Sequence, residues 1–167
     1  MSKLYCFDFD DSIATTDARI KLTNKNKSRY LTPHEFADYK QQPGDVFDYS
    51  EFRGELRNPQ IIEKYFEVFK KIFKAVGDKL VILTARGDAA PIHKFLALHG
   101  LTGINIVALG ASNSPQEKKD WIEKQIINGT DDILFMDDSI ENVMAVRSLK
   151  EKYPKIKLDA RVIKQKH

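Results

Sequence analysis

The sequence predicts an α/β fold, a parallel sheet flanked by helices, on three observations. Short apolar runs alternate with stretches of helical period along most of the chain. Two of these runs end in clustered carboxylates: Leu4-Tyr5-Cys6-Phe7-Asp8-Phe9-Asp10-Asp11-Ser12 and Ile133-Leu134-Phe135-Met136-Asp137-Asp138-Ser139. A third, Val81-Ile82-Leu83, runs into Thr84-Ala85-Arg86-Gly87. Parallel sheets bind ligands beyond the carboxyl ends of their strands, so the three motifs are expected to meet in one crevice.

Taken in order, the first strand is expected from Leu4. The next helix is expected to start at Asn58-Pro59, an N-cap followed by Pro at the first helical position. Ile62, Tyr65, Phe66, Phe69, Ile72, Phe73 and Val76 recur at helical spacing, and Gly77 ends the run. Strands are expected at Val81 to Leu83 and at Ile104 to Leu109. Between them, Asp88 can cap a helix carrying Ile92, Phe95, Leu96 and His99, ended by Gly100. Ser114-Pro115 opens another, with Trp121, Ile122, Gln125 and Ile126 on one side. After the strand at Ile133, Ser139 opens a last helix through Val143, Val146 and Leu149, before Pro154. Leu158, Ala160 and Val162 alternate within 157–164 and predict a final edge strand.

One stretch breaks the alternation. Segments 18–23 and 28–31 flank the polar turn Asn24-Lys25-Asn26-Lys27, a hairpin pattern. Thr32-Pro33-His34-Glu35 forms a capping box for a short helix to about Lys40, and Gln42-Pro43-Gly44-Asp45 is a turn. Residues 13–57 therefore read as an insertion lying beside or over the crevice, within a single domain spanning 1–167.

With 167 residues the chain can bury a substantial core. A net charge of +3 neither demands a nucleic-acid partner nor opposes one. Cys6 is the single cysteine, which excludes an internal disulfide and reads as a buried thiol in a reducing, cytoplasmic compartment. The early first strand is expected to leave no room for a signal peptide. No apolar run approaches the roughly 20 residues of a membrane span, so no membrane partner is expected.

Five carboxylates at one sheet edge disfavour each other's ionisation, and a hard cation such as Mg²⁺ relieves this. The spacing Asp8-x-Asp10 at a strand end can bring two carboxylates to one phosphorus, one as nucleophile and one as proton carrier. Phosphate chemistry is the expected use.

On these motifs the chain resembles the haloacid dehalogenase-like phosphatase superfamily. Phe7-Asp8-Phe9-Asp10-Asp11-Ser12 matches its first signature, Val81-Ile82-Leu83-Thr84 its second, a Lys at 118 or 119 its third, and Phe135-Met136-Asp137-Asp138 its fourth. The match covers the chain outside the insertion. It implies a Rossmann-like, five-stranded parallel sheet with a small insertion cap. It further implies that Asp8 is nucleophile and Mg²⁺ ligand, and that Asp10 is general acid/base with its backbone carbonyl on the metal. Asp137 and Asp138 would complete the metal shell, and Thr84 and the lysine would hold the phosphoryl oxygens. Lys118 shares the inward face of Trp121 and Ile122 and is favoured over Lys119. Asp11 and Ser12 depart from the usual Gly and Thr.

Leu83-Thr84-Ala85-Arg86 is similar to the strand end of the 3′-phosphatase domain in phage-type polynucleotide kinases, which implies that Arg86 contacts substrate. No GxxxxGK[ST] phosphate loop is present. The implied substrate is a nucleic-acid or nucleotide 3′-phosphate, hydrolysed in the cytoplasm of a host cell for a phage-encoded protein. Free nucleotides or small metabolites are the alternative, and a non-catalytic metal-binding module is a second. Arg19, Lys21, Lys25, Lys27 and Arg29 either keep the hairpin soluble or clamp a polyanion, with Tyr30, Tyr39 or Phe47 to stack on a base. His34, His93 and His99 lack metal-ligand spacing and are expected at the surface or in packing. Asn142 is expected to steady the acidic loop.

Overall fold

The computed structural model describes residues 2–110 and 114–164. The chain opens with β1 (Ser2–Phe7) and β2 (Ala14–Thr15), then the hairpin β3 (Ile20–Asn24) and β4 (Lys27–Leu31). It continues through α1 (Pro33–Asp38), β5 (Val46–Asp48), a 3₁₀ turn at Ser50–Phe52 and β6 (Gln60–Ile61). Then come α2 (Glu63–Val76), β7 (Leu80–Thr84), α3 (Ala90–Leu98), β8 (Asn105–Ala108) and α4 (Pro115–Ile127). The last elements are β9 (Thr130–Asp137), α5 (Ile140–Arg147), α6 (Leu149–Lys152) and β10 (Lys157–Val162).

Five strands form one parallel sheet in the order β10-β9-β1-β7-β8. The architecture is α/β with helices on both faces, compatible with a Rossmann-like fold. The chain runs outward from β1 to β8 and then returns to place β9 on the other side of β1. The direction reverses between β1 and β9, and ligands collect in the crevice at such a switch point.

The sheet's two faces follow from the period-2 alternation of its strands. Leu4 and Cys6 of β1, Val81 and Leu83 of β7, and Ile133 and Phe135 of β9 face one way. They pack with Ile122 and Ile126 of α4 and Val143 and Val146 of α5. Phe7 of β1 and Leu80 and Ile82 of β7 face the other way, against Phe66 and Phe69 of α2 and Phe95 and Leu96 of α3. Phe7, Phe66, Phe69 and Phe135 are almost wholly buried. Each such side chain contributes about 1.5–3 kcal/mol of transfer free energy.

The insertion folds as a second, small layer. β3 pairs with both β4 and β5 in an antiparallel sheet ordered β4-β3-β5. Ile20, Leu22, Leu31 and Phe36 make its core, with Tyr39, Phe47, Tyr49 and Phe52 packed on it. A two-stranded stem, β2 against β6, joins it to the main sheet. The capping box at the start of α1 is complete: the Glu35 amide donates to Thr32 Oγ1, and the Thr32 amide donates to Glu35 Oε1.

The structure corrects several expectations. Asn58-Pro59 does not start α2; Asn58 has φ 45° and the chain stays extended at Gln60–Ile61. Pairing with β2 and the bond from the Ile62 amide to the Ile13 carbonyl hold it there, so the helix begins at Glu63. The strand β5 carried no clear sequence signal, being only three residues long. Leu149 belongs to the separate short helix α6, not to α5. The N-cap of α3 is Ala89 rather than Asp88, whose side chain accepts the Ala90 amide at 3.0 Å from one residue earlier.

Asn24 pairs with Lys27, so Lys25-Asn26 is a two-residue hairpin loop. Both residues have positive φ, 51° and 65°, as a type I′ turn requires. Lys adopts that conformation poorly and Asn well. Replacing the pair with Asn-Gly (Lys25→Asn with Asn26→Gly) is expected to stabilise the protein by about 1 kcal/mol. A higher urea midpoint at unchanged m-value would show it; an unmoved midpoint would mean the turn carries no strain.

Candidate active site

The register of β1 on β9 sets Phe7 opposite Met136, and the Asp8 amide donates to the Met136 carbonyl at 2.9 Å. Asp8 and Asp137 therefore leave the sheet side by side at the switch point. Both continue the face of Cys6 and Phe135, toward α4. On α4, Lys118 precedes the buried Ile122 and Ile126 by one and two turns and is itself buried. Its Nζ donates to Asp8 Oδ1 at 2.9 Å and Asp137 Oδ2 at 2.7 Å. Lys119 is half-buried, so Lys118 is the lysine of the site.

Further donors fix the carboxylates. Ser12 Oγ donates to Asp8 Oδ2 at 2.9 Å. Asp137 accepts from the Ser139 amide at 2.9 Å and from Asn142 Nδ2 at 3.1 Å. Ser139 also caps α5, its Oγ accepting the Asn142 amide at 3.2 Å. One turn thus starts a helix and steadies the acidic loop, as expected of Asn142.

Asp8, Asp137 and Asp138 are 7%, 1% and 5% exposed. Each offers an oxygen within 4.8 Å of the others. Burial first, then the Asp137 charge, pushes the Asp8 carboxyl up to about 6, against the pull of Lys118. Burial, followed by the charges of Asp8 and Asp137, raises Asp138 far above the ordinary carboxylate range. Burial opposes the Lys118 charge, but Asp137 and Asp8 override it and raise that group. One ammonium faces three carboxyl groups, and Asp138 keeps its proton where no cation takes its place. An all-oxygen cluster of this kind can hold a metal ion, and its donor set suits a hard divalent cation.

Asp10 lies apart from this cluster. Arg86 grips its carboxylate with Nε and Nη2, both at 2.8 Å, in a bidentate pair. Arg86 Nη2 also reaches Thr16 Oγ1 at 3.2 Å, and the guanidinium lies 4.6 Å from the Phe52 ring centroid. The pairing concerns the Asp10 side chain; the metal role implied for this residue was through its backbone carbonyl. Thr84 is buried, and its hydroxyl accepts the Arg86 amide at 3.1 Å. Thr84 thereby shapes the loop that presents Arg86.

The insertion roofs this crevice. A cavity of about 430 Å³ has Asp8, Asp137, Asp138, Asp10, Lys118 and Arg86 in its floor and Phe36, Tyr49 and Phe52 in its roof. His34, expected at the surface or in packing, reaches Asp138, Nδ1 to Oδ2 at 2.6 Å. Asp38, from the same helix, accepts from Ser139 Oγ at 3.3 Å. Lone histidine spacing carried no trace of this contact, which joins residues 104 apart. Phe47 and Tyr39, considered for base stacking, pack on each other and within the core of the insertion, and the Tyr39 hydroxyl donates to Asp45. Comparison with family models, with curated proteins and with solved structures finds no match for this chain.

Two outcomes are expected. With Asp8 raised above its unfolded value near 3.9, the folded state holds this proton longer than the unfolded chain does. Its contribution is present below about pH 4 and lost as pH rises through about 6. In chelator at pH 7.5, Asp8→Asn should therefore be more stable than wild type, by on the order of 2–3 kcal/mol, with the gap closing by pH 4. Urea titrations at both pH values measure this; an Asn variant that is less stable at pH 7.5 would contradict the electrostatic account. Second, His34→Ala should weaken cation binding by about ten- to a hundredfold, as loss of a partner behind a metal ligand commonly does. Thermal shift against Mg²⁺ or Mn²⁺ reads it, and unchanged affinity would reduce the His34 contact to a fastening of the insertion.

Proposed function

We propose that the protein is a Mg²⁺-dependent phosphomonoester hydrolase of the haloacid dehalogenase-like kind, working through an aspartyl-phosphate on Asp8. The observation that carries this reading is the buried group at the switch point. Asp8 and Asp137 share Lys118, Asp138 stands beside them, and all four face a walled cavity.

In the first half-reaction an Asp8 carboxylate oxygen attacks phosphorus, and the bond from phosphorus to the ester oxygen breaks. Asp10 gives its proton to that oxygen. In the second, water attacks the aspartyl-phosphate, Asp10 takes the water proton, and the bond to Asp8 breaks to release inorganic phosphate. Lys118 holds the nucleophile in place and offers positive charge to the phosphoryl oxygens. Bound Mg²⁺, held by Asp8, Asp137 and Asp138, would reduce repulsion between the Asp8 carboxylate and the phosphate dianion.

Asp10 cannot carry a proton to substrate while both its oxygens are held by Arg86. The two residues must part during turnover. An arriving phosphate supplies the alternative partner for Arg86, which reconciles its substrate role with its place in this structure.

The strand end at Thr84-Ala85-Arg86 suggests nucleic-acid or nucleotide 3′-phosphates as substrates. The size of the cavity, about 430 Å³, suits the second reading, free nucleotides or other small phosphomonoesters.

Asp8→Asn should lower Mg²⁺-dependent phosphate release at least a thousandfold while the protein stays folded. Phosphate release from an aryl phosphate, alongside far-ultraviolet circular dichroism, makes the check. A folded variant with near-normal rate would end the assignment.

A further inference from the structure

We propose that the roof of the cavity is a base-binding subsite, so that the substrate class is the free nucleoside monophosphate; this rests on the phosphomonoesterase reading above. The insertion supplies the roof, and nothing in the phosphoryl chemistry requires its residues. Phe36, Tyr49 and Phe52 line the same cavity as the acidic group.

Their burial separates subsite from core. Phe36 is almost fully buried with Ile20, Leu22 and Leu31 and serves the insertion's own packing. Tyr49 and Phe52 are only half-buried, although they pack on the same core. Both nevertheless form part of the cavity wall. Phe52 already carries one planar cation, the Arg86 guanidinium at 4.6 Å from its centroid. Arg86 thereby links the phosphate end of the cavity to its aromatic end.

The size of the space supports a small ligand. About 430 Å³ lies toward the lower end of the range for small-molecule sites. Such a volume accommodates a phosphate, a pentose and one base. Two polar side chains that could meet the edge of a base also line the cavity: Arg53 from the insertion and Glu117 from α4. Stacking faces with a few edge contacts are how proteins bind single bases. A sugar phosphate would leave the aromatic wall unmatched, and a polynucleotide would have to leave the space at the roof.

The test compares kcat/KM for nucleoside 5′- and 3′-monophosphates, ribose 5-phosphate and a 3′-phosphorylated oligonucleotide. Variants Tyr49→Leu and Phe52→Leu keep apolar bulk and remove the ring. Wild type should prefer a nucleoside monophosphate over both other classes by at least tenfold. Each variant should raise KM for it about tenfold or more, as expected for loss of a base–aromatic stack. Tyr49→Leu should leave KM for ribose 5-phosphate unchanged, whereas Phe52→Leu, which also removes the ring against Arg86, should raise it by less than for the nucleotide. Equal losses on both substrates in Tyr49→Leu, or a preference for ribose 5-phosphate or the oligonucleotide, overturns the subsite. The two variants are independent, and a melting curve for each shows whether it is folded. Should wild type hydrolyse no phosphomonoester, including an aryl phosphate, the hydrolase reading fails separately. Calorimetric titration of wild type with the nucleoside monophosphates then decides the subsite: binding that either Leu variant loses supports it, and no binding ends it.

Discussion

Three carboxylates whose oxygens lie within 4.8 Å, nearly sealed from water, are the constraint to which the rest of the structure answers. Alone, such a group cannot stay ionised, because burial and mutual repulsion act in the same direction. Lys118 answers part of the charge, bonding to two of the three from the inward face of α4. The surrounding sheet supplies the rest of the cost. β1 is flanked on both sides by parallel strands, and Phe7, Cys6 and Phe135 are fully buried just before the carboxylates begin. The site is thus placed directly beyond a fully buried apolar stretch, at the ends of two adjacent inner strands of the sheet.

The insertion is tied to the same carboxylates. His34 bonds to Asp138, Asp38 accepts from Ser139, and Phe52 lies against Arg86. Each contact joins one residue of residues 16–59 to one residue of the crevice. The insertion has its own small core and a two-stranded stem, so these contacts are not needed to fold it. They orient it. A change of charge at Asp138 or of partner at Arg86 is therefore felt in the roof as well as in the floor.

Much of this was legible in the sequence because it depends on local pattern. The strand ends at Asp8, Thr84 and Asp137, the caps Ser114 and Ser139, the capping box at Thr32 and the hairpin turn at Lys25-Asn26 are all set by neighbours within a few residues. Lys118 followed from its spacing to Ile122. What was not legible depends on distant pairing. Asn58-Pro59 has the residues of a helix start, yet the stem with β2 keeps the next residues extended. His34 and Asp138 are brought together only by the docking of α1 on α5. Arg86 could be placed at the crevice from its strand, but not on Asp10, since that pair depends on where the loop after Phe9 turns.

The two carboxylates that share Lys118 are equivalent by strand register and unequal by hydrogen bonding. Asp137 accepts from Lys118, from the Ser139 amide and from Asn142, and it is 1% exposed. Asp8 accepts from Lys118 and Ser12, shares a hydrogen bond with Asp138, and is 7% exposed. Each added donor stabilises the anion and lowers its reactivity as a nucleophile, and the capping turn of α5 delivers two of the three to Asp137. The difference originates in sequence. Ser139 starts a helix directly after the second acidic run, so its amide and the first-turn Asn142 point back at Asp137. The first run is followed by the turn at Asp11 and the stem strand β2, which offer Asp8 a single hydroxyl. The two carboxylates thus differ in where their donors come from and in exposure, and within the proposed hydrolase reading the more exposed Asp8 is the one placed to attack, with Asp137 fixed by the capping turn.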